Sequence, residues 1–291
     1  MQISLPTAAQ GLPARPGENA GHMGHGLRKL GRALLAQAFA LVMALPGMAP
    51  AAEYEPAVGQ EGKDVIWVPT PQPLVEKMLD IAKVTPQDYL IDLGSGDGRT
   101  VITAARRGLR AHGIEYNPDM ADLARRNAKQ AGLAERATFA TADLFETDLS
   151  EAQVITMFLL PEINAKLRPR ILDLKPGTRV VSNSFRMGDW EPDDATSVSK
   201  DCQHWCTAFL WIVPAKVEGS WQLGNQELRL TQRFQMLSGT LGEQAISEAR
   251  MEGNTISFTA NGARYTGTVN GKTITGRVAS GQGGAWSASR T

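Results

Sequence analysis

The sequence predicts an α/β protein in which a mostly parallel sheet, closed by an antiparallel hairpin, precedes a small all-β meander or barrel. Three observations carry that prediction. Apolar strand-like runs alternate with segments of helical period over residues 72–185. A glycine-rich turn, "DLGSGDGR" (92–99), follows the first of those strands and opens a helix. After Pro214 the texture changes to short alternating runs separated by hairpin dipeptides such as Asn261-Gly262 and Asn270-Gly271.

A chain of 291 residues fits roughly two domains. Hydrophobic content of 42% with 21% charged residues is enough for a sizeable core. Thirty basic residues balance thirty acidic ones, so no global electrostatic case exists for nucleic acid as a partner. Two cysteines, Cys202 and Cys206, are too few for a disulfide framework.

Residues 1–52 read as a leader. Arg28, Lys29 and Arg32 precede an apolar run, Ala33–Leu45, then Pro46-Gly47 and the small residues "APAA". That order predicts a secretory signal cleaved after Ala51 or Ala52, and so an exported or periplasmic protein. An uncleaved membrane anchor, or a cytoplasmic or organellar location, is the alternative. The run is well short of the roughly 20 residues that span a bilayer.

Residues 53–215 read as the α/β domain and 216–291 as the β domain. An acidic, proline-dotted arm ends in "WVPTPQP". Helices are predicted over 72–84, 99–108, 118–132 and 161–174. Strands are predicted over 89–93, 110–116, 137–143, 152–160 and 178–185, with "ATSVSK" and "CTAFLWIVP" as the final hairpin. Asn117-Pro118 starts the third helix and Gly132 stops it. The meander beyond Pro214 holds seven or eight strands, with Trp221, Phe258, Tyr265 and Trp286 as its expected core.

The glycine loop must be matched to a ligand. In a dinucleotide site the last glycine lets the helix present its N-terminus to a pyrophosphate. Here the glycines are Gly94, Gly96 and Gly98, and Arg99 occupies that last position. No Gly-Lys-Ser/Thr follows, which excludes a triphosphate loop. Asp92 and Asp97 would repel a pyrophosphate and favour a cation. S-adenosyl-L-methionine supplies a sulfonium and an ammonium. Asp92 suits the ammonium, Glu115 after the second strand suits the two ribose hydroxyls, and Asp143 after the third suits the adenine amine beside Leu144. An acid at the end of each of three successive strands is an uncommon accident.

Over residues 62–214 the sequence resembles the class I S-adenosylmethionine-dependent methyltransferases. The resemblance implies a Rossmann-like seven-stranded sheet with the last strand antiparallel. It also implies Asp92, Gly94, Ser95, Gly96, Asp97 and Gly98 as the methionine-binding loop, Glu115 as the ribose acid and Asp143 as the adenine contact. "VPTP" (68–71), "DLGSGDGR", "GIEYNP", "DLFETDLS", "FLLPEIN" and "MGDW" (187–190) together resemble bacterial relatives of the protein-lysine methyltransferases that modify the ATP-synthase c-subunit and the adenine-nucleotide carrier. The acceptor implied is a protein lysine, with a membrane-associated target as one candidate. The segment 217–291 is not part of that core family.

Methyl transfer from a sulfonium is an in-line displacement needing alignment and exclusion of water, with no metal. Methyltransferases acting on adenine or glutamine nitrogens usually carry Asn or Asp before two prolines after strand four. This chain has Leu159-Leu160-Pro161-Glu162, which disfavours base and amide acceptors. Pro161 and Glu162 are the catalytic candidates, with Glu162 receiving or positioning the lysine proton; a helix-dipole role in the first turn is its plain alternative. Thr70 is expected as a lid over the methionine end, and Asp189-Trp190 as part of the substrate channel, against simple packing of Trp190. Cys202 and Cys206 lie roughly 13 Å apart if their segment is extended, and within bonding reach if it is a turn. A small-molecule methyltransferase, or an exported binding protein without catalysis, remains the competing function.

Overall fold

The computed structural model describes residues 54–62, 66–279 and 284–291. The leader read at 1–52 lies outside them.

The α/β part runs α1 (Gln72–Ile81), β1 (Tyr89–Leu93), α2 (Arg99–Arg106), β2 (Arg110–Glu115), α3 (Pro118–Gln130), β3 (Ala137–Thr141), β4 (Val154–Met157), α4 (Pro161–Leu172), β5 (Arg179–Asn183), β6 (Asp194–Ser197) and β7 (Thr207–Ile212). Local chemistry explains the borders. In α1, Leu74, Val75, Met78 and Leu79 form one buried stripe. Asn117 caps α3 by accepting from the backbone N–H groups of Asp119 and Met120, with Pro118 pre-set at the first helical position. In β1 and β4 every residue but Tyr89 is buried, because helices cover both faces.

The sheet order is β3-β2-β1-β4-β5-β7-β6. β7 pairs antiparallel with β5 and carries β6 on its outer side, so the antiparallel strand stands one place in from the edge. The chain steps outward from β1 to β3, then returns to lay β4 on the other side of β1. The strand ends diverge at that reversal and leave a crevice at their carboxyl rim.

The second part contains β8 (Gly219–Leu223), β9 (Gln226–Arg233), β10 (Met236–Leu241), β11 (Gln244–Ala245), β12 (Ser247–Glu252), β13 (Thr255–Ala260), β14 (Ala263–Asn270), β15 (Thr273–Ala279) and β16 (Ala285–Arg290). Pairings β8–β16, β8–β9, β9–β10 and β10–β12 join the meander into a closed ring of eight strands, with β11 hung on β10. Closure removes the unpaired edges an open meander would expose. Trp221, Phe258, Met251 and Ile274 are fully buried inside, and the Phe258 and Tyr265 rings stack at 4.8 Å.

The β9–β10 tip joins the two parts. Phe234 stacks on Trp190 with ring centres 5.8 Å apart. Trp190 Nε1 donates to Gln235 Oε1 at 2.9 Å, and Gln235 Nε2 donates to the Glu191 carbonyl at 2.8 Å. Arg233 and, after it, Arg168 pair with Asp189, holding its carboxyl well below the usual carboxylate range. The expectation of a substrate-channel role for Asp189-Trp190 is corrected here. Trp190 is fully buried in this joint and lines no part of the cavity described next.

Candidate functional site

At the carboxyl rim of β1 the glycine loop folds over the end of β2. The N–H groups of Gly94 and Ser95 both donate to the Ile114 carbonyl, at 2.9 and 3.0 Å. Gly96 N–H donates to Glu115 Oε2 at 2.9 Å, and Asn117 N–H donates to Glu115 Oε1 at 3.0 Å. The Glu115 carboxylate is therefore pinned between the loop and the start of α3, with one acceptor position left on each oxygen. Gly96 has φ +52°, and a Cβ there would lie 2.6 Å from Trp67 Nε1, so glycine lets the N-terminal arm cross the loop.

Asp92 is 6% exposed and accepts from Thr156 Oγ1 at 2.6 Å. Burial pushes its carboxyl up to about 7; the Thr156 hydrogen bond opposes this, and the nearby Glu115 and Asp97 charges reinforce it. Asp97 differs. Arg99 Nη2 pairs with it at 2.6 Å while Arg99 Nη1 donates to the Thr70 carbonyl at 3.0 Å. Its charge is balanced within the chain, so the expectation of two cation-seeking aspartates reduces to Asp92 alone. The residue that replaces a dinucleotide site's last glycine thus ties the loop to the arm. Thr70 Oγ1 accepts from Asn183 Nδ2 at 3.2 Å, fixing the arm to the end of β5. Asp143 Oδ1 accepts from Phe145 N–H at 2.8 Å in a turn just beyond β3.

These side chains surround a cavity of about 600 Å³, within the range of small-molecule sites. Thr70, Asp92, Gly94, Ser95, Gly96, Asp97, Glu115, Asp143 and Leu144 all stand on its wall. Gly98 does not. Its φ of +82° turns the chain into α2, and a Cβ there would meet the Phe139 ring at 2.7 Å, so it serves packing behind the loop. Pro161 and Glu162 are also absent from the wall; both are exposed on the first turn of α4, while Leu160 and Ile163 face the cavity.

Sequence reasoning missed Trp67, Tyr116, Phe158, Phe185 and Trp205, which complete the wall. Trp67 and Tyr116 adjoin "VPTP" and Glu115, and that adjacency is the signal the sequence offers for them. Trp205 comes from a loop closed by a Cys202–Cys206 disulfide with Cα atoms 5.8 Å apart; the segment is a turn, not an extended strand.

The wall suits a cationic ligand on one count. Buried Asp92 forms no ion pair among the described residues and would be satisfied by a donor or cation in the cavity. Ser95 Oγ, also without a hydrogen-bond partner, packs instead against Gly113 of β2.

Residues 92–194 match the family described as the ANTKMT methyltransferase domain. A protein-lysine N-methyltransferase of Saccharolobus islandicus is 42% identical over 153 residues, covering 51% of this chain and 94% of that protein. The chain belongs to this methyltransferase family. S-adenosylmethionine is its cofactor, and the seven-stranded core is that of a methyltransferase. The adenine nucleotide translocase lysine N-methyltransferase of Mus musculus is 37% identical, over 40% of this chain and 52% of its own length. The mouse lysine N-methyltransferase of the ATP synthase c-subunit is 35% identical, over 38% of this chain and 46% of its own length. The chain thus spans nearly all of the Saccharolobus islandicus relative and about half of the mouse ones. A crystal structure described as an RNA methyltransferase from Salinibacter ruber with S-adenosyl-L-homocysteine is 50% identical, covering 52% of this chain and 96% of that one at a TM-score of 0.48. The β-barrel lies beyond the residues matched to the family.

Proposed function

We propose that this methyltransferase transfers a methyl group to the ε-amino nitrogen of lysine in a protein, with Asp92, Glu115 and Asp143 as the cofactor-holding acids. The observation carrying the proposal is their convergence on one cavity whose wall also carries the Phe158, Phe185 and Trp205 rings, with no Asn or Asp before paired prolines after β4. The relatives named as lysine methyltransferases support the same acceptor.

When bound, the cofactor supplies an electrophilic methyl group on a sulfonium. Asp92 takes the ammonium of the methionine end, where a cation offsets the cost of its buried charge. The two oxygens of Glu115 accept the ribose hydroxyls, and Asp143 accepts the adenine amine against Leu144. Ser95 and the glycine backbone at 94 and 96 follow the methionine arm, and Thr70, tied to Arg99 and Asn183, closes that end against water. Glu162 acts at the entrance: exposed beside Leu160, it attracts the incoming ammonium, whose proton leaves to solvent before attack. Pro161 fixes the rim by starting α4.

The leader-like order of residues 1–52 and the Cys202–Cys206 disulfide support an oxidising, exported location; only if the run Ala33–Leu45 stays uncleaved does it favour an acceptor at a membrane. Labelled-methyl transfer into a membrane extract, followed by mass spectrometry, tests the acceptor. Label on lysine is expected, with Glu115→Ala lowering cofactor affinity at least tenfold. Label confined to small molecules or to RNA overturns the lysine assignment.

A further inference from the structure

Six large apolar side chains remain exposed among the described residues, and four of them, Ile66, Tyr116, Leu160 and Trp205, stand on the cavity wall. Exposed apolar surface thus concentrates where an acceptor must enter. Trp205 is the most constrained of the four. It has φ +56°, a backbone conformation that a bulky L-residue adopts only when its surroundings hold it there. The Cys202–Cys206 bridge supplies that hold by closing the loop on either side of residues 203–205. Trp205 as a residue is 43% exposed, yet its ring centre lies 5.9 Å from that of Phe158, which in turn stacks on Phe185 at 5.9 Å. Three aromatic rings therefore form one continuous surface in the cavity, and the bridge pins the outermost.

We infer that Trp205, positioned by the Cys202–Cys206 bridge, is the acceptor-specificity residue of this enzyme, offering its ring face to the ammonium of the incoming lysine while Phe158 packs on the aliphatic stem. This rests on the lysine reading and adds the surface that selects it. An indole face attracts a cation through its quadrupole and attracts a neutral group of equal size much less, so it discriminates charge as well as shape. The bridge then tunes selection. A dithiol delivers two electrons and two protons to the sulfur pair, the S–S bond breaks to two thiols, and the reagent closes its own disulfide; the loop is left free to release Trp205 from its strained conformation.

The test uses the full chain loaded with S-adenosyl-L-homocysteine. The probes are n-butylammonium, which is the lysine side chain without its backbone, and n-butanol as the uncharged counterpart. The parent is expected to prefer the cation by about 3- to 30-fold. Trp205→Ala loses most of that preference, leaving only the pull of Glu162, Trp205→Phe keeps more of it, and either dithiothreitol or the Cys202→Ala/Cys206→Ala pair weakens it. Affinity for S-adenosyl-L-homocysteine stays within about twofold throughout, which separates selection from loss of fold. An unchanged preference in Trp205→Ala, or no preference in the parent, overturns the inference even when lysine carries the methyl label. Absence of lysine label altogether brings down the lysine reading instead.

Discussion

Asp92 sits where its charge is costly until a ligand arrives. Its folded carboxyl titrates near 7, against an unfolded value of 3.8, so between those pH values the folded chain keeps a proton that the unfolded chain has lost. Ligand-free stability therefore falls as pH rises through that window, by at most about 1.4 kcal/mol per pH unit, and levels off above 7. Cofactor binding has the opposite sign. A cation beside Asp92 favours the carboxylate, so affinity weakens as pH drops below 7, approaching tenfold per unit, and binding releases a proton. Asp92→Asn keeps the acceptor oxygen that Thr156 Oγ1 uses while removing the charge. It is expected to melt higher than the parent at pH 8 in the ligand-free form, with the gap narrowing at pH 5, and to bind the cofactor at least tenfold more weakly with a flat profile between pH 5.5 and 7. Calorimetric titrations across that range check it; a pH-dependent Kd surviving in Asp92→Asn would mean that another group carries the linkage. At this scale the cofactor acids were legible because each lies at or just past the carboxyl end of a strand, and those ends converge by topology alone. The aromatic wall was not, because Trp67 and Trp205 reach the cavity through loops whose course depends on packing, on Gly96 lacking a Cβ, and on a disulfide.

Among elements, those with local signals were readable. Asn117-Pro118 carries its own cap chemistry, and Asn261-Gly262 has φ of +52° and +71°, the paired positive values that a two-residue hairpin turn demands. Asn270-Gly271 is also a hairpin, but shifted by one: Asn270 pairs with Thr273 as the last strand residue, and Gly271 takes the first turn position. β8, "GSWQL", carries a weak strand signal, because one buried Trp between small and polar residues gives no alternation. The β9–β10 tip had no local signal at all. Phe234 adopts φ +55°, and Gln235, 4% exposed, saturates Trp190 Nε1 and the Glu191 carbonyl. Gln235→Ala strands a buried indole N–H and a carbonyl, and is expected to cost about 1–3 kcal/mol in urea unfolding. Cofactor affinity should be untouched, since neither residue reaches the cavity. A loss below about 0.5 kcal/mol would indicate that water enters the joint and satisfies both groups.

On the scale of the whole molecule, the barrel and the cavity occupy opposite rims of the parallel sheet. Ala215 N–H donates to the Gly253 carbonyl at 2.9 Å, and Gly253 packs against Gly177, just ahead of β5; the cavity lies at the other end of these strands. No described barrel residue lines the cavity, so the barrel acts on the site only through the rigidity of what it grips. That grip is extensive: Phe234 joins the buried cluster around Trp190 and Trp211, and Arg233, Arg250 and Lys216 pair across to Asp189, Asp193 and Asp173. Of these, the exposed Arg233–Asp189 and Lys216–Asp173 pairs contribute little. The buried aromatic cluster carries the coupling, since removing either part would expose Trp190 and its neighbours to water. Differential scanning calorimetry of the protein should therefore give a single transition with matching calorimetric and van't Hoff enthalpies. Trp190→Ala, which removes a fully buried indole at about 3–5 kcal/mol, should lower that transition or split it into two while leaving cofactor Kd near the parent's. Two resolved transitions in the parent itself would mean that the barrel is an independently folding appendage, and that its contact with the sheet does not stabilise the methyltransferase core.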